Sequence, residues 1–127
     1  MMNGVMFNAF DFVARILMGG FFLSAGINKL QNYPQISDWM GSHDVSGNLL
    51  PCVIALEIIA PLFMIVGLYV RLSALLLAGF SILTALLFHY DFSDQLQSIM
   101  FTKNMAISGG LLCVVAHGAG SWRLRND

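Results

Sequence analysis

The chain has 127 residues, of which 57% are hydrophobic and only 10% charged, and its formal net charge is −1. A soluble domain of this size needs a largely polar surface, and a disordered chain needs high charge and low hydrophobicity, so the composition excludes both classes. No excess of basic residues is present to neutralise phosphates, which argues against nucleic-acid binding and leaves a small integral membrane protein of one domain, residues 1–127.

The first predicted membrane span covers about residues 10–30. No basic segment precedes it, so we expect this helix to act as its own insertion signal and not as a cleaved signal peptide. Asp11 and Arg15 are four residues apart with the acid first, and we interpret them as a self-neutralising pair near the membrane interface. Gly20 and Ser24 have the spacing of a small-residue seam that packs against another helix.

Residues 31–48 are predicted to form a long outer loop. The segment is polar and contains the Gly, Ser, Pro and Asn residues that favour turns. Tyr33 and Trp39 are expected to anchor it at the headgroup region of the membrane, where aromatic residues are enriched.

The second predicted span, residues 49–70, contains a single charged residue, Glu57. A carboxyl group inside a bilayer is costly, faces the bundle interior with a partner, and is a functional candidate by default. Pro61 lies four residues further on, lacks an N–H group, and has a ring that clashes with the Glu57 carbonyl. We therefore predict a polar niche that requires a cation, a donor or a ligand. The alternative is a structural pair with a Lys, Ser or Asn of a neighbouring helix.

Two further spans are predicted at residues 72–89 and 104–119, in stretches without formal charges. Residues 90–103 form a second outer loop between them, with the apolar spacing of a short amphipathic helix. Lipid permits only helices or closed barrels, and no alternating strand pattern supports a barrel. The four spans therefore predict an all-α fold, an integral membrane four-helix bundle with two longer outer loops.

The basic residues at the span ends predict the orientation of the bundle. Four arginines lie on the side of the two termini, whereas only two lysines lie on the side of the long loops. Because basic residues are retained on the cytoplasmic side, we predict that both termini are cytoplasmic. The six residues are Arg15, Arg71, Arg123 and Arg125, and Lys29 and Lys103.

This topology gathers chemically useful side chains in the outer half of the bundle. They are a carboxyl, an imidazole, two amines and an amide: Glu57, His89, Lys29, Lys103 and Asn104. We predict that they bind a quinone or another small ligand with a polar head, with Glu57 as the candidate proton relay and either lysine as its partner. The alternatives are a solvated histidine at a helix end and lysines that extend to the interface.

Thiol and metal chemistry are not predicted. Cys52 and Cys113 lie at different depths, too far apart for a disulfide, and we interpret Cys113 as a packing residue. Cys52 lies near the outer surface, and we interpret it as a buried small hydrophobe, with a reactive thiol as the alternative. The segment with His89, Asp91 and Asp94 has metal-binding residue types, but the spacing is weakly specific and acidic loop residues are usually solvated. We therefore assign no metal site.

The combination of these residues resembles the DoxX family of small four-helix membrane proteins. The motifs that carry the resemblance run along nearly the whole chain: Arg15, Ser24-Ala25-Gly26, Lys29-Leu30, Glu57, Gly67-Leu68, Arg71, His89, Lys103-Asn104, Gly109-Gly110 and Gly118-x-Gly120. The resemblance implies a bacterial inner-membrane protein. The family name comes from a subunit linked to quinone-reducing thiosulfate oxidation, and other members are linked to membrane thiol and oxidative-stress systems. The tail departs from the family pattern, because Arg125 stands where an Asp is frequent.

Two functional hypotheses follow from the sequence. The first is a redox-associated membrane subunit with a quinone as its ligand. The chain has no motif for a flavin, a haem or an iron–sulfur centre, so a partner protein or the ligand must supply the redox group. The second is a non-enzymatic membrane scaffold or assembly factor. The sequence leaves open whether the protein is an enzyme and whether it forms a homo-oligomer. We expect it to be surrounded by membrane lipid.

Overall fold

The chain folds into helices that run back and forth along one axis. The computed structural model describes residues 4–88 and 93–123, and every helix or strand element within these ranges is helical, which confirms the all-α prediction. The elements are α1 (Gly4–Gln31), α2 (Tyr33–Ser42), a 3₁₀ turn (Gly47–Leu49), α3 (Leu50–Val66), α4 (Val70–Phe88) and α5 (Gln95–His117). The helices α1, α3, α4 and α5 are long and apolar enough to cross a membrane.

The four long helices pack in the order α1, α3, α4, α5, each against the next. We call the end that carries α2, the 3₁₀ turn and the α4–α5 connection the loop side. The opposite end, with the start of α1, the α3–α4 turn and residues 118–123, is the termini side. The contact between α1 and α5 is much smaller than the contacts α1–α3, α3–α4 and α4–α5. We call this loosely packed boundary between α1 and α5 the open seam.

Small side chains on α4 allow the close approach of α5. Four of them are buried at intervals of three or four residues: Ala74, Ala78, Ser81 and Ala85. The Ser108 hydroxyl of α5 donates to the Asn104 carbonyl of its own helix at 2.8 Å and lies 3.4 Å from the Ala78 carbonyl across this interface. Small residues at such a contact let two backbones approach, which is how helices gain packing energy in lipid.

Two glycines form the contact surface between α1 and α3. A Cβ atom at Gly19 would lie 2.7 Å from the Ile65 side chain, and one at Gly26 would lie 3.1 Å from the Glu57 Cβ. The predicted seam at Gly20 and Ser24 is wrong, because Ser24 is exposed and a Cβ at Gly20 would meet nothing within 4 Å. The contact surface of α1 is rotated by one residue from the predicted one.

The predicted Asp11–Arg15 ion pair is present, but it is buried and connects several elements, which its spacing did not predict. Arg15 is fully buried, with its Nε atom 3.0 Å from an Asp11 carboxylate oxygen. Its guanidinium also donates to the carbonyls of Met64 and Ile65 at 3.0 and 3.1 Å, and to the Trp122 carbonyl. The last carbonyls of a helix lack partners within the helix, so Arg15 caps α3 and holds the C-terminal segment.

The two predicted outer loops contain more regular structure than expected. Residues 31–48 contain α2 and the 3₁₀ turn. Within residues 90–103 the expected short helix is continuous with the fourth span, as α5, which begins at Gln95. The cause of the early start is Asp94, whose carboxylate accepts a 2.9 Å hydrogen bond from the Leu96 N–H and so caps the helix. As a result Lys103 lies within α5, more than two turns from its beginning.

The two cysteines do not pack in the core as predicted. Cys52 and Cys113 are both exposed on the bundle surface. The core face of α5 is formed by Ser108, Leu111 and Val114, and Cys113 points away from it because neighbouring helix positions are about 100° apart.

Candidate functional site

The loop-side half of the bundle encloses a cavity of about 500 Å³. All five helices contribute to its wall, because α2 folds over the end of the bundle and α5 starts early enough to reach it. The wall is mostly apolar and rich in aromatic rings: Phe21, Phe22, Trp39, Phe80 and Phe88. A concave, apolar space with a few polar groups is the usual form of a small-molecule site.

Four of the five residues predicted to bind a ligand line this one cavity. They come from three helices: Lys29 from α1, Glu57 from α3, and Lys103 and Asn104 from α5. His89, the fifth, lies outside the described residues. The convergence arises because α3 and α5 run in the same direction, so that their loop-side halves face the same end of α1.

Glu57 is the deepest charged group in the cavity wall. Its side chain is 1% exposed, and its Oε1 atom lies 2.7 Å from the Lys29 Nζ atom. The Lys29 ammonium faces this buried oxygen, and Oε1 makes no other polar contact among the described residues. Gly26 permits this pairing, because its missing side chain lets α1 approach the Glu57 backbone. Lys29, and not Lys103, is therefore the partner of Glu57.

Asn104 is held by a small network on α4. Its Nδ2 group donates to the Thr84 hydroxyl at 3.1 Å and to the Ser81 carbonyl at 3.4 Å. Thr84 in turn donates to the same carbonyl at 3.1 Å. A network of this kind fixes the side chain in one orientation and leaves its carbonyl oxygen directed away from α4.

Lys103 lies at the open seam between α5 and α1. Its Nζ atom is 5.1 Å from the centre of the Phe21 ring, a cation–π distance. Lys103 is exposed. The described residues of the wall carry two lysines and one glutamate, so this part of the cavity has a net positive charge.

The helix α2 forms the roof of the cavity, a role that the sequence analysis missed. Trp39 stacks on Phe88 with ring centres 4.6 Å apart, and it also contacts the His43 ring at 4.6 Å. Met40 is buried against Leu50 and Ile54 of α3. Trp39 was predicted to anchor the segment at the membrane interface because of its residue type alone. The alternation of apolar and polar residues around Ile36 and Met40 would have indicated a helix with one face packed on the bundle.

A second cavity of about 500 Å³ lies on the termini side, between α1 and α5. The α1 residues that line the two cavities recur every three or four positions, which is one continuous helix face: Phe7, Phe10, Asp11, Ala14, Leu17, Met18, Phe21, Phe22, Ala25, Asn28 and Lys29. The two cavities therefore lie along the same face of α1, one in each half of the bundle. From Phe7 to Lys29 this face extends about 33 Å, close to the thickness of a hydrocarbon core.

The described residues contain no group of three or more His, Cys, Asp or Glu side chains that could hold a metal ion. Of the three residues weighed for such a site, Asp94 caps α5, while His89 and Asp91 lie outside the described residues. Nothing in the described part of the site points to a metal ligand set.

Comparison with known proteins agrees with the membrane fold. The family model described as DoxX matches residues 10–90, which include most of α1 and all of α2, α3 and α4. The chain is 42% identical over 112 residues to a protein of Escherichia coli (strain K12) named inner membrane protein YqjF, a match that covers 88% of this chain and 86% of the relative. No solved structure matches the chain. With four apolar helices of membrane-spanning length and these two matches, the chain belongs to the DoxX family of small, multi-pass inner-membrane proteins.

Proposed function

We propose that this protein is a redox-associated membrane subunit that binds a quinone, or a ligand with a similar polar head, in the loop-side cavity. The observation that supports the proposal is the convergence of Lys29, Glu57, Lys103 and Asn104 on one apolar cavity. Charged groups this deep in a membrane bundle are retained mainly where they handle a substrate, an ion or a proton.

In this proposal each polar group has a distinct role. The ammonium groups of Lys29 and Lys103 donate hydrogen bonds to oxygen atoms of the head, and Asn104 positions it from α5. Glu57 takes up or releases a proton when the head changes its oxidation state. The ligand or a partner protein supplies the redox group, since the protein's own side chains in the cavity do not form one.

In this proposal the seam between α1 and α5 provides the path for the apolar part of the ligand. The termini-side cavity on this seam has an almost wholly apolar lining, and α1 and α5 are the neighbouring helices in least contact. A molecule dissolved in the bilayer would enter sideways between them and keep its hydrocarbon chain along the seam. In the orientation proposed from the arginines, the head lies in the half of the membrane away from the cytoplasm.

The test is to identify what co-purifies with the protein in mild detergent by mass and absorption spectra. We expect a stoichiometric quinone to co-purify with the wild type. The control variant Ala106→Phe should retain it, because residue 106 is exposed on the lipid-facing surface of α5. Ala25→Phe places a ring in the cavity and should release the ligand. Purification of folded wild-type protein without any such ligand would contradict the proposal.

The relay role of Glu57 has its own test. Glu57→Gln keeps the size of the side chain but removes its titratable proton, so turnover of the bound ligand should be lost while the protein stays in the membrane. Asp38→Asn is the matched control, because Asp38 is an exposed acid of α2. Unchanged ligand binding and turnover in Glu57→Gln would exclude the relay.

One observation favours the second candidate, a scaffold without chemistry. The Lys29–Glu57 ion pair of 2.7 Å joins α1 to α3 and would serve a purely structural role equally well. In that case Lys29→Ala or Glu57→Ala should lower the free energy of unfolding by about 3–5 kcal/mol, the usual cost of leaving a buried charge unpaired. A stoichiometric partner protein and no bound ligand would then be found on purification.

A further inference from the structure

The two cavities follow one another along α1 and α5 with only a short step between them. On α1 the termini-side cavity reaches Met18 and the loop-side cavity begins at Phe21, less than one helical turn further on. On α5 the loop-side cavity ends at Asn104 and the termini-side cavity begins at Gly110. These two residues are about 9 Å apart along the helix axis. Only a thin layer of side chains therefore separates the cavities.

Two side chains that rest on the core lie at this boundary. The α5 residues that line the cavities recur every three or four positions, and the position missing from this series is Ile107. Ile107 and Met18 both pack on the buried core around Leu111. Met18 also faces α5, because a Cβ atom at Gly110 would lie 3.4 Å from its Sδ atom. Met18 has the unbranched and flexible side chain of the two, so it can move aside without a change in the backbone.

The termini-side cavity requires an apolar occupant. Large apolar side chains such as Phe7 and Phe10 form most of its wall. The carboxylate of Asp11 in this wall is already bonded to Arg15 and to the Gly120 N–H group. Water occupies a cavity only where it finds several polar partners, and an apolar cavity that stays empty costs packing energy. A hydrocarbon chain fills such a space without leaving a polar group unpaired.

We infer that the hydrocarbon chain of the ligand passes Met18 and ends in the termini-side cavity, so that the protein takes a polar head attached to one chain of lipid length. The inference rests on the proposed function and specifies the ligand further. The distance along α5 from Asn104, beside the head, to Val114, in the wall of the second cavity, is about 15 Å. This is about half the thickness of a hydrocarbon core, the depth that one lipid chain spans. A shorter chain would leave the second cavity unfilled.

The test uses two light-activated probes that share a trimethylbenzoquinone head and differ only in chain length. The chain is ethyl in one probe and hexadecyl in the other, and each ends in a diazirine, which on illumination inserts into whatever it touches. The probes are bound to the purified full chain in lipid nanodiscs, and the labelled residues are located by mass spectrometry. We expect the ethyl probe to label the wall of the loop-side cavity. The hexadecyl probe should label the wall of the termini-side cavity, and an excess of the same quinone without the diazirine should remove both labels.

Three variants of α1 show whether the chain needs this space. Ala14→Phe places a ring in the termini-side cavity. Labelling there by the hexadecyl probe should fall at least about tenfold, because forcing extra atoms into a filled space is costly, whereas labelling by the ethyl probe should not change. Val13→Phe is the matched control at the neighbouring exposed position and should change neither label. Ala25→Phe blocks the loop-side cavity and should remove both labels, because the chain follows the head.

The outcomes separate the inference from the proposed function. Labelling of lipid or of lipid-facing residues alone by the hexadecyl probe, with the ethyl probe still in the loop-side cavity, would overturn the inference and leave the proposed function standing. Termini-side labelling that survives Ala25→Phe would also overturn it, because the chain would then have entered independently of the head. If Ala14→Phe does not fold, the two-probe comparison on the wild type still decides. Absence of any label that the unmodified quinone removes would overturn both.

Discussion

At the scale of single residues, Arg15 and Glu57 show how the same cost of burying a charge leads to different outcomes. All the hydrogen bonds of Arg15 end on this protein's own acceptors: Asp11, the α3 end carbonyls and the C-terminal segment. Glu57 is paired with Lys29 at 2.7 Å, and both residues line the loop-side cavity. A buried charge whose partners all belong to helix ends and chain segments serves the fold, and a charged pair in the wall of a cavity is the better functional candidate.

Arg15→Met should therefore destabilise the protein strongly. The substitution leaves the Asp11 charge uncompensated and removes the donors of two carbonyls at the end of α3, so the free energy of unfolding should fall by about 3–5 kcal/mol. Thermal unfolding in detergent measures the effect. The control is the double variant that combines Arg15→Met with Asp11→Asn. The second substitution removes the unpaired charge and keeps an acceptor for the Gly120 N–H group, which lies 2.9 Å from the Asp11 carboxylate. Failure of the double variant to recover stability would contradict this account.

At the scale of elements, the helix contacts depend on where small residues lie around each helix. Gly19 and Gly26 bring α1 onto α3, and Ala74 and Ala78 bring α4 onto α5. In lipid, contacts of this kind replace the hydrophobic effect as the source of helix association, because the lipid chains are as apolar as the side chains.

The α4–α5 contact can be tested with one pair of substitutions. Ala78→Leu puts three extra carbons into a fully packed interface and should cost about 1–3 kcal/mol of stability. Ala106→Leu makes the same change on the lipid-facing surface of α5 and should have little effect. Unfolding in detergent distinguishes the two. Equal stability of both variants would mean that α4 and α5 do not pack as described.

At the scale of the whole molecule, the bundle has two different ends. On the termini side, Arg15 and Asp11 cap α3 and hold residues 118–123. On the loop side, Lys29, Glu57 and Lys103 line a cavity. The orientation of these ends across the membrane decides which compartment the cavity is close to.

The native cysteines can report that orientation. Cys52 is exposed near the loop-side start of α3, and Cys113 is exposed within the membrane-spanning part of α5, where it lines the termini-side cavity. A membrane-impermeant maleimide applied from outside the inner membrane should label Cys52 if both termini are cytoplasmic, because thiols in lipid react poorly. Labelling should vanish in Cys52→Ser and persist in Cys113→Ser. Labelling of Cys52 only from the cytoplasmic side would reverse the proposed orientation.

The sequence by itself determined the class of the protein and the approximate place of its site. Charge-free stretches of membrane-spanning length allow only a helical bundle, and their alternating directions put Lys29, Glu57, Lys103 and Asn104 at the same level of it. These conclusions depend on position along the chain, which a sequence records directly. The motif residues were also enough for the resemblance to the DoxX family, which the family match confirmed.

The tertiary structure alone decided which residues meet. The direction of a side chain around a helix axis changes by about 100° per residue. The sequence alone therefore does not distinguish a contact surface at Gly20 from one at Gly19, and the position of the neighbouring helix decides between them. For the same reason the choice of Lys29 as the Glu57 partner and the burial of Arg15 could not be derived from spacing. Distances between residues far apart in the chain are set by packing, and packing is a property of the assembled bundle.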